Sequence, residues 1–407
     1  MSAPDITVAG AGYVGRVLAL ALNGASGVSP AVRIVDAAPA GLAPNDTRAY
    51  AMAAGTVRML EELGVWQRLE GKAQPCSAMT ITDSKVAELV RPAFLTIAGE
   101  ARTGEPFAQF VDGRDLMQAI VETCEAAGIA VEHAFPVGGL EADTYGVTLD
   151  GEAESSRLLV AADGAKSKVR RAAGIKTVGW SYGQGAIITI IETEVPHDGE
   201  AVQHFLPGGP FAMLPLPGNE HPNRRGIVWT ERTREAERLM ALGAEDFAFA
   251  LEQRAGPEVG EIAVVEAPRL YPLEMILARA FVAPRVALVG DAAHRLHPLA
   301  GLGLNMGLRD VAVLAEVLAD AARRGEDLGS LTVLERYQRW RRFDTVQVAA
   351  TMEAINRLFS NDFGPLRAVR DLGLGLVDRM APLKKAFVQE AAGDAGQTPR
   401  LMRGEPV

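Results

Sequence analysis

Short, mainly hydrophobic runs recur along the chain at residues 6–9, 32–35, 158–162 and 285–289, and each run is followed by a glycine or an aspartate. Runs of this length without regular alternation are typical of buried strands. The pattern therefore predicts a buried sheet whose strands are far apart in sequence and end in residues that can turn the chain or bind a ligand.

The remaining hydrophobic pattern predicts helices and a second sheet. Residues 16–22, 116–127 and 308–322 have apolar positions at helical spacing, and the last two predict long helices. Short alternating runs at 186–191 and 226–230 favour an antiparallel sheet. Together these elements predict an α/β fold with two kinds of sheet.

A glycine pattern follows the first predicted strand. Gly10, Gly12 and Gly15 form Gly-x-Gly-x-x-Gly directly before a predicted helix. In this motif the first glycine permits a tight turn, the second lets the backbone approach a pyrophosphate, and the third lets helix and strand pack closely. Asp36 ends the second strand, about 20 residues later, where a ribose hydroxyl needs an acceptor. FAD and NAD both fit this unit, whereas the extra phosphate of NADP would meet like charge.

Two further strand ends carry aspartates. Asp163 precedes Gly164 after the third run, and Asp291 follows Gly290 after the fourth. A glycine-rich segment at 301–307 then opens a helix, and such a helix start presents free N–H groups to an anionic ring or a phosphate. We therefore expect a second nucleotide-contacting region here.

These motifs, in this order, resemble the flavoprotein aromatic hydroxylases, the single-component FAD monooxygenases of the para-hydroxybenzoate hydroxylase type. The resemblance implies bound FAD, NAD(P)H as a transient reductant, and oxygen transfer to an electron-rich ring, with the flavin carrying the chemistry. The sequence has no second glycine fingerprint for NAD(P)H and no Cys-x-x-x-x-Cys pair, which argues against a disulfide reductase.

Further stretches are similar to the branch of this family that hydroxylates ubiquinone precursors. They lie at 46–52, 60–66, 208–216, 337–342 and 357–360. The resemblance implies a lipid-like aromatic substrate and assembly with other ubiquinone-biosynthesis proteins. One departure is Leu302, where the branch usually has Gln, and it affects the expected substrate more than the expected cofactor.

The resemblance also assigns roles to individual residues. Arg48 is expected beside the flavin, with a surface arginine as the competing interpretation. Arg114 is expected at the FAD phosphate and ribose, with an exposed salt bridge as the competing interpretation. Pro298 and Leu302 are expected to line the flavin, and Gly301, Leu302 and Gly303 to offer N–H groups to its ring. His294 and His297 are expected to shape the loop over the flavin and not to bind metal, because no ligand set surrounds them.

The predicted domains are discontinuous. Residues 1–75, 105–175 and 270–345 are assigned to a Rossmann-like FAD-binding domain. Residues 76–104 and 176–269 are assigned to an antiparallel-sheet substrate domain over the flavin, and 346–407 to a helical C-terminal region.

Composition narrows the remaining choices. The chain has 407 residues and a net charge of −10, which argues against a nucleic-acid surface. Two cysteines supply neither a disulfide framework nor a zinc site. The start of the chain has no basic targeting segment, and its longest uncharged run is shorter than the roughly 18 residues of a membrane span. We expect a cytoplasmic protein.

Contact with the inner face of the membrane stays open. Residues 364–392 mix apolar positions with five basic ones, namely Arg367, Arg370, Arg379, Lys384 and Lys385. Such a segment fits an amphipathic helix on anionic lipid, or helices that cap the protein's own core. Two other functions also stay open: hydroxylation of a soluble aromatic or secondary metabolite, and a flavin-binding scaffold without turnover.

Overall fold

The computed structural model describes residues 4–25, 27, 30–41, 46–83, 93, 95–218, 223–297, 301–359, 392–393 and 396–407, with the backbone only for 355–359. The helices in chain order are α1 (Tyr13–Asn23), α2 (Ala54–Glu62), α3 (Gly113–Ala126), α4 (Lys168–Ala172), α5 (Thr233–Met240), α6 (Ala244–Ala255), α7 (Leu302–Arg323), α8 (Leu331–Phe359) and α9 (Arg400–Arg403).

The strands up to residue 161 are β1 (Ile6–Ala9), β2 (Val32–Val35), β3 (Ala49–Ala53), β4 (Ala73–Pro75), β5 (Ala78–Asp83), β6 (Leu95–Ala98), β7 (Glu100–Arg102), β8 (Glu105–Pro106), β9 (Ala108–Asp112), β10 (Val131–Glu132), β11 (Leu140–Ala142), β12 (Val147–Leu149), β13 (Ser155–Ser156) and β14 (Leu158–Ala161). The later strands are β15 (Thr177–Thr193), β16 (Glu200–Leu206), β17 (Gly209–Pro215), β18 (Arg224–Arg232), β19 (Ile262–Val264), β20 (Arg269–Ala278), β21 (Val282–Ala283), β22 (Val286–Leu288) and β23 (His294–Arg295).

The four hydrophobic runs form neighbouring strands of one sheet. Within the described residues this sheet has the order β10-β2-β1-β14-β22-β21, and all its pairs are parallel except β21 with β22. Its core strands β1 and β14 are fully buried. Because parallel strands end at one edge, Gly10, Asp36, Asp163 and Gly290 emerge on the same side of the sheet.

The alternating runs belong to a second, larger sheet. Its order among the described strands is β23-β20-β15-β18-β17-β16-β5-β6, with β19 beside β15. The predicted antiparallel pairing holds for most of it, but β5 joins β16 in parallel. Helices α5 and α6 cover one face, where Trp229 and Phe211 are buried. The fold class is as predicted, whereas the domain boundaries stay a prediction.

Two helices begin earlier than their periodicity indicated. The helix predicted at 116–127 starts at Gly113, because the Asp112 carboxylate accepts a hydrogen bond from the Arg114 N–H at 2.9 Å and caps it. The helix predicted from 308 starts at Leu302, with Gly301 in a left-handed conformation (φ 65°) at its N-cap. Each of the two helices thus has an N-terminal turn that the apolar periodicity did not indicate.

None of the helices in the described part of the chain is long and apolar enough to cross a membrane. The C-terminal segment at 364–392 lies almost wholly outside the described residues, and so do its five basic positions.

Candidate active site

A cavity of about 340 Å³ lies between the carboxyl edge of the six-stranded sheet and the open face of the larger sheet. Residues from both sheets line it, with a mainly polar, glycine-rich wall on one side and an apolar wall on the other. The predicted site residues that line it are Gly12, Arg48, Asp291, Gly301 and Gly303.

The three glycines after β1 have different surroundings. A Cβ atom on Gly10 (φ 111°) would lie 2.3 Å from the Ala162 carbonyl oxygen, and one on Gly15 would lie 1.9 Å from the Gly10 carbonyl oxygen. Both positions therefore require glycine so that β1, β14 and α1 can approach each other. A Cβ atom on Gly12, the N-cap of α1, would meet nothing within 4 Å. Gly12 thus borders open space at a helix N-terminus.

Asp36 holds this glycine turn in place. One carboxylate oxygen accepts a hydrogen bond from the Ala11 N–H at 2.6 Å, and the other accepts one from the Ala38 N–H at 2.7 Å. The side chain is half-buried at the end of β2, the position that a ribose acceptor occupies in this kind of turn. Its contact with a ribose stays a prediction.

Asp291 presents a carboxylate to the cavity. It lies in a 3₁₀ turn, Gly290–Ala292, directly after β22, and it is exposed. Among the residues that the structure describes, the Asp291 side chain accepts no hydrogen bond and forms no ion pair. Its oxygens are therefore available to hydroxyl donors.

The turn that carries Asp291 is fixed by a buried ion cluster. The fully buried Asp310 carboxylate on α7 accepts hydrogen bonds from the Gly290 N–H at 2.9 Å, His294 Nε2 at 2.7 Å and Arg341 Nε at 2.7 Å. Burial by itself raises the pKa of Asp310, but His294 and Arg341 hold it below its ordinary value.

Sequence reasoning did not find Asp310. Its partners stand at 290, 294 and 341, and only the fold brings them together. The one available signal was the 337–342 stretch, which contributes both Arg341 and Tyr337. The Tyr337 hydroxyl donates a hydrogen bond to the Leu288 carbonyl at 2.7 Å.

The start of α7 forms another part of the wall. Gly301 and Gly303 line the cavity, and a Cβ atom on Gly303 would meet nothing within 4 Å. Asn305 ties this helix start to β3, since its amide donates to the Ala51 carbonyl at 2.7 Å and accepts from the Ala53 N–H at 2.9 Å. Leu302 is half-buried and does not line the cavity, and Pro298 lies outside the described residues. Their contacts with a flavin stay predictions.

Arg48 lines the cavity within a cluster of polar side chains. Its guanidinium donates to both carboxylate oxygens of Asp46, at 2.8 and 2.7 Å, and lies 5.2 Å from the centre of the Tyr50 ring. The hydroxyls of Tyr13 and Tyr50 both donate to the same Asp46 oxygen. Burial raises the pKa of Asp46, but the hydrogen bonds from Arg48 bring it below its ordinary value. The cluster therefore anchors the Arg48 guanidinium at the cavity wall.

Arg114 and Asp163 do not line the cavity. Arg114 forms ion pairs with Asp112 at 2.8 Å and Glu266 at 2.7 Å, as its competing interpretation predicted. Asp163 accepts hydrogen bonds from the Lys168 and Val169 N–H groups at the start of α4. Any contact of these two residues with FAD stays a prediction.

The opposite wall is apolar and spans neighbouring strands of the larger sheet. The registers of β16, β17, β18 and β15 align Gln203, Ala212, Val228 and Ile188 in one row. All four line the cavity, so its floor is flat and apolar with a single amide at one end. Such a surface fits an aromatic ring or a hydrocarbon chain.

Three buried histidines, His204, His294 and His297, contact other groups of the protein. His294 contacts Asp310, and His204 contacts the Thr82 hydroxyl at 2.7 Å and the Ala255 carbonyl at 3.2 Å. His297 is buried, and its ring centre lies 5.0 Å from that of Tyr182. Burial lowers the pKa of His297 to about 4. Within the described part of the chain, no group of three or more His, Cys, Asp or Glu side chains could hold a metal ion.

The residues present fit a flavin dinucleotide. Two helix N-termini, those of α1 and α7, face the cavity with glycines whose missing side chains leave open space. Asp291 supplies unused acceptors for hydroxyl groups. The polar wall can therefore hold FAD through Gly12, Asp291, Gly301 and Gly303, while the apolar floor stays available for a second molecule.

The chain has relatives that are named as hydroxylases of ubiquinone or of a ubiquinol. It is 42% identical to ubiquinone hydroxylase UbiL of Rhodospirillum rubrum, over 99% of this chain and 93% of that protein. It is 31% identical to 3-demethoxyubiquinol 3-hydroxylase of Escherichia coli, over 96% of this chain and 98% of that protein.

A solved structure shares the fold over nearly the whole chain. p-Nitrophenol 4-monooxygenase PnpA from Pseudomonas putida superposes with a TM-score of 0.77 at 19% identity, covering 97% of this chain and 99% of that one. The profile of one protein family, described as FAD binding domain, matches residues 4–351. With its glycine turn, its free strand-end carboxylate and this match, the chain belongs to the FAD-binding domain family.

Proposed function

We propose that the protein is an FAD-dependent monooxygenase that hydroxylates the aromatic ring of a polyprenylated phenol or quinol in ubiquinone biosynthesis. The observation that carries this proposal is one cavity with a phosphate-compatible wall and a flat apolar floor. Relatives that are named as ubiquinone hydroxylases support the substrate class.

The overall reaction consumes one dioxygen and one NAD(P)H. One oxygen atom replaces a ring hydrogen as a hydroxyl group, the other leaves as water, and NAD(P)H with one proton supplies the two electrons. FAD, when bound, supplies the redox chemistry that couples these events.

The protein's own residues hold, orient and shield the reactants. The helix starts at Gly12 and Gly301 offer N–H groups to anionic oxygens, and Asp291 accepts from hydroxyl groups. Val228 and Ile188 give the ring an apolar surface that excludes water. Gln203 is the amide at one end of this floor, where it can bind a ring oxygen.

The hydrocarbon tail of the proposed substrate is relevant to the location of the protein in the cell. We place it in the cytoplasm, at the inner face of the membrane and in contact with other ubiquinone-biosynthesis proteins. A lipid-like substrate supports this placement, because such a molecule resides in the bilayer.

Cells that lack the protein are expected to accumulate a ubiquinone precursor with one hydroxyl group fewer than its successor. Extraction of the quinone pool followed by mass spectrometry identifies this intermediate, and expression of the intact chain should remove it. A normal quinone pool would contradict the proposed substrate class. NAD(P)H oxidation by the purified protein that yields only hydrogen peroxide would favour the scaffold without turnover.

Replacing Asp291 with Ala is expected to weaken FAD binding by tenfold to a hundredfold. A hydrogen bond to a charged acceptor contributes about 1.5–3 kcal/mol, and no described neighbour can take over the role of this carboxylate. Fluorescence titration of the apoprotein with FAD measures the change. Glu274→Gln is a matched control, because Glu274 lines the same cavity but is paired with Arg295 at 2.8 Å. Equal affinities for the Asp291 variant and the intact chain would remove Asp291 from the cofactor site.

A further inference from the structure

The first part of β15 carries exposed apolar side chains. β18 pairs with β15 only from Gln184 onward among the described residues, so the preceding part of the strand pairs with β20 alone. In this part Val178 and Trp180 are 43% and 39% exposed. Alternation along the strand places both on the same face.

This exposed stripe continues the apolar side of the cavity. Trp180 lies opposite Met275 and Val178 lies opposite Leu277 on β20. By alternation these partners share a face with Leu273, which lines the cavity. The apolar face of β20 therefore runs from the cavity to the surface.

Tyr182 connects the two ends of the stripe. Its ring centre lies 6.4 Å from that of Trp180, in an edge-to-face contact. On its other side it packs against the cluster formed by Ala186, Ile188 and Leu273. An apolar molecule can therefore keep contact with protein from Ile188 to Trp180.

Exposed basic residues lie in the chain segments that adjoin the start of this stripe. Lys176 directly precedes β15, and the Arg279 N–H donates to its carbonyl at 2.8 Å. Helix α4 is only five residues long, and a hydrogen bond from the Ile175 N–H to the Arg170 carbonyl closes the turn that leads from its C-terminal end towards β15. The exposed basic residues of these adjoining segments are Lys166, Lys168, Arg171, Lys176 and Arg279.

None of these five forms an ion pair with another residue that the structure describes, although the chain carries a net charge of −10. We call Val178, Trp180 and the five basic residues the β15 patch. Unpaired cations around an exposed tryptophan are the combination that favours an anionic membrane surface, where indole rings sit at the level of the headgroups.

We propose that the β15 patch docks on an anionic lipid bilayer and so places the apolar side of the cavity next to the membrane. The proposal rests on the proposed function, because a lipid-like substrate must leave the bilayer to reach the cavity. The substrate's hydrocarbon tail then follows the stripe Trp180, Tyr182 and Ile188.

The test uses FAD-loaded full-length protein and vesicles of phosphatidylcholine with or without phosphatidylglycerol. The intact chain is expected to float with the phosphatidylglycerol vesicles at low salt and to detach as salt screens the charges. Changing the five basic residues to Gln should weaken binding by roughly a thousandfold or more, since each one contributes about a fivefold factor. Trp180→Ser should also weaken binding and remove any vesicle-induced shift in tryptophan emission.

A matched control changes five exposed basic residues on other surfaces to Gln: Arg68, Lys72, Arg102, Arg324 and Arg403. This variant has the same net charge as the first and should bind vesicles like the intact chain. Equal losses in both variants would mean that net charge alone governs binding and would overturn the proposal, as would vesicle binding that persists without the five patch residues.

A nucleotide phosphate is the other ligand that these cations could attract. If the five-Gln patch variant raises the KM for NADPH while vesicle binding is unchanged, the cations serve the reductant and the membrane proposal is wrong. Vesicle binding needs no turnover, so its outcome is independent of the quinone-pool experiment that tests the proposed function.

Discussion

Replacing Gly12 with Val is expected to abolish FAD binding while leaving the chain folded. The position of the missing Cβ has no protein atom within 4 Å, so the branched side chain fits the protein and fills cavity space instead. At the N-cap of α1 the change costs the fold only about 1 kcal/mol. Binding should weaken by about a hundredfold or more, which corresponds to roughly 3 kcal/mol.

The absorbance of bound flavin and the circular dichroism of the apoprotein separate these two effects. The expected result is a colourless protein with the helix content of the intact chain. Gly15→Val is the contrasting variant, because its side chain would collide with the Gly10 carbonyl and should prevent folding. If Gly12→Val purifies with full flavin, the cofactor does not pass this glycine.

Replacing Asp310 with Ala is expected to destabilise the fold by about 3–5 kcal/mol, because Arg341 loses its buried carboxylate partner and keeps only the partly exposed Asp344 at 3.1 Å. The folded-state pKa of Asp310 is lowered, so its contribution is present at neutral pH and is lost as the pH falls through that pKa. Denaturant unfolding of the apoprotein at neutral pH measures the difference.

Asp320→Ala is a matched control for this substitution. Asp320 lies on the same helix and pairs with Arg323 and Arg400, but these pairs are partly exposed and should contribute at most about 1 kcal/mol. Similar losses of unfolding free energy in the two variants would show that the buried cluster stabilises the fold no more than a partly exposed ion pair does.

Local signals in the sequence predicted the first part of the site well. The strand, glycine turn, helix and second strand up to Asp36 are contiguous, and the close packing of these elements requires glycine at positions 10 and 15. Gly10 is an example, because its positive φ and its contact with Ala162 follow from the turn that the motif predicts.

Contacts between distant segments were not predictable in the same way. Asp310 acts through Gly290 and Arg341, and no spacing rule relates these three positions. The full length of β15 was also missed, because glycines and polar residues at its start interrupt the alternation that identified 186–191. The pairing of this start with β20 depends on the rest of the sheet.

The location of a charged residue in the fold bears on interpretations that the sequence left open. Arg48 and Arg114 both fit a cofactor contact or an ion pair. Arg48 lines the cavity while bound to Asp46, whereas Arg114 spans Asp112 and Glu266 away from it. A guanidinium can satisfy either partner, so only its position in the fold distinguishes the two cases.

The contact between Asp310 and Arg341 sets an order of events during synthesis. The residues of the Gly290 turn are translated well before Arg341. The turn is held by the Asp310 carboxylate, and the negative charge of this buried carboxylate is neutralised by Arg341. We therefore expect the Asp291 turn to settle only after α8 has left the ribosome. If flavin binds at this turn as proposed, its capture is expected late in the biogenesis of the protein.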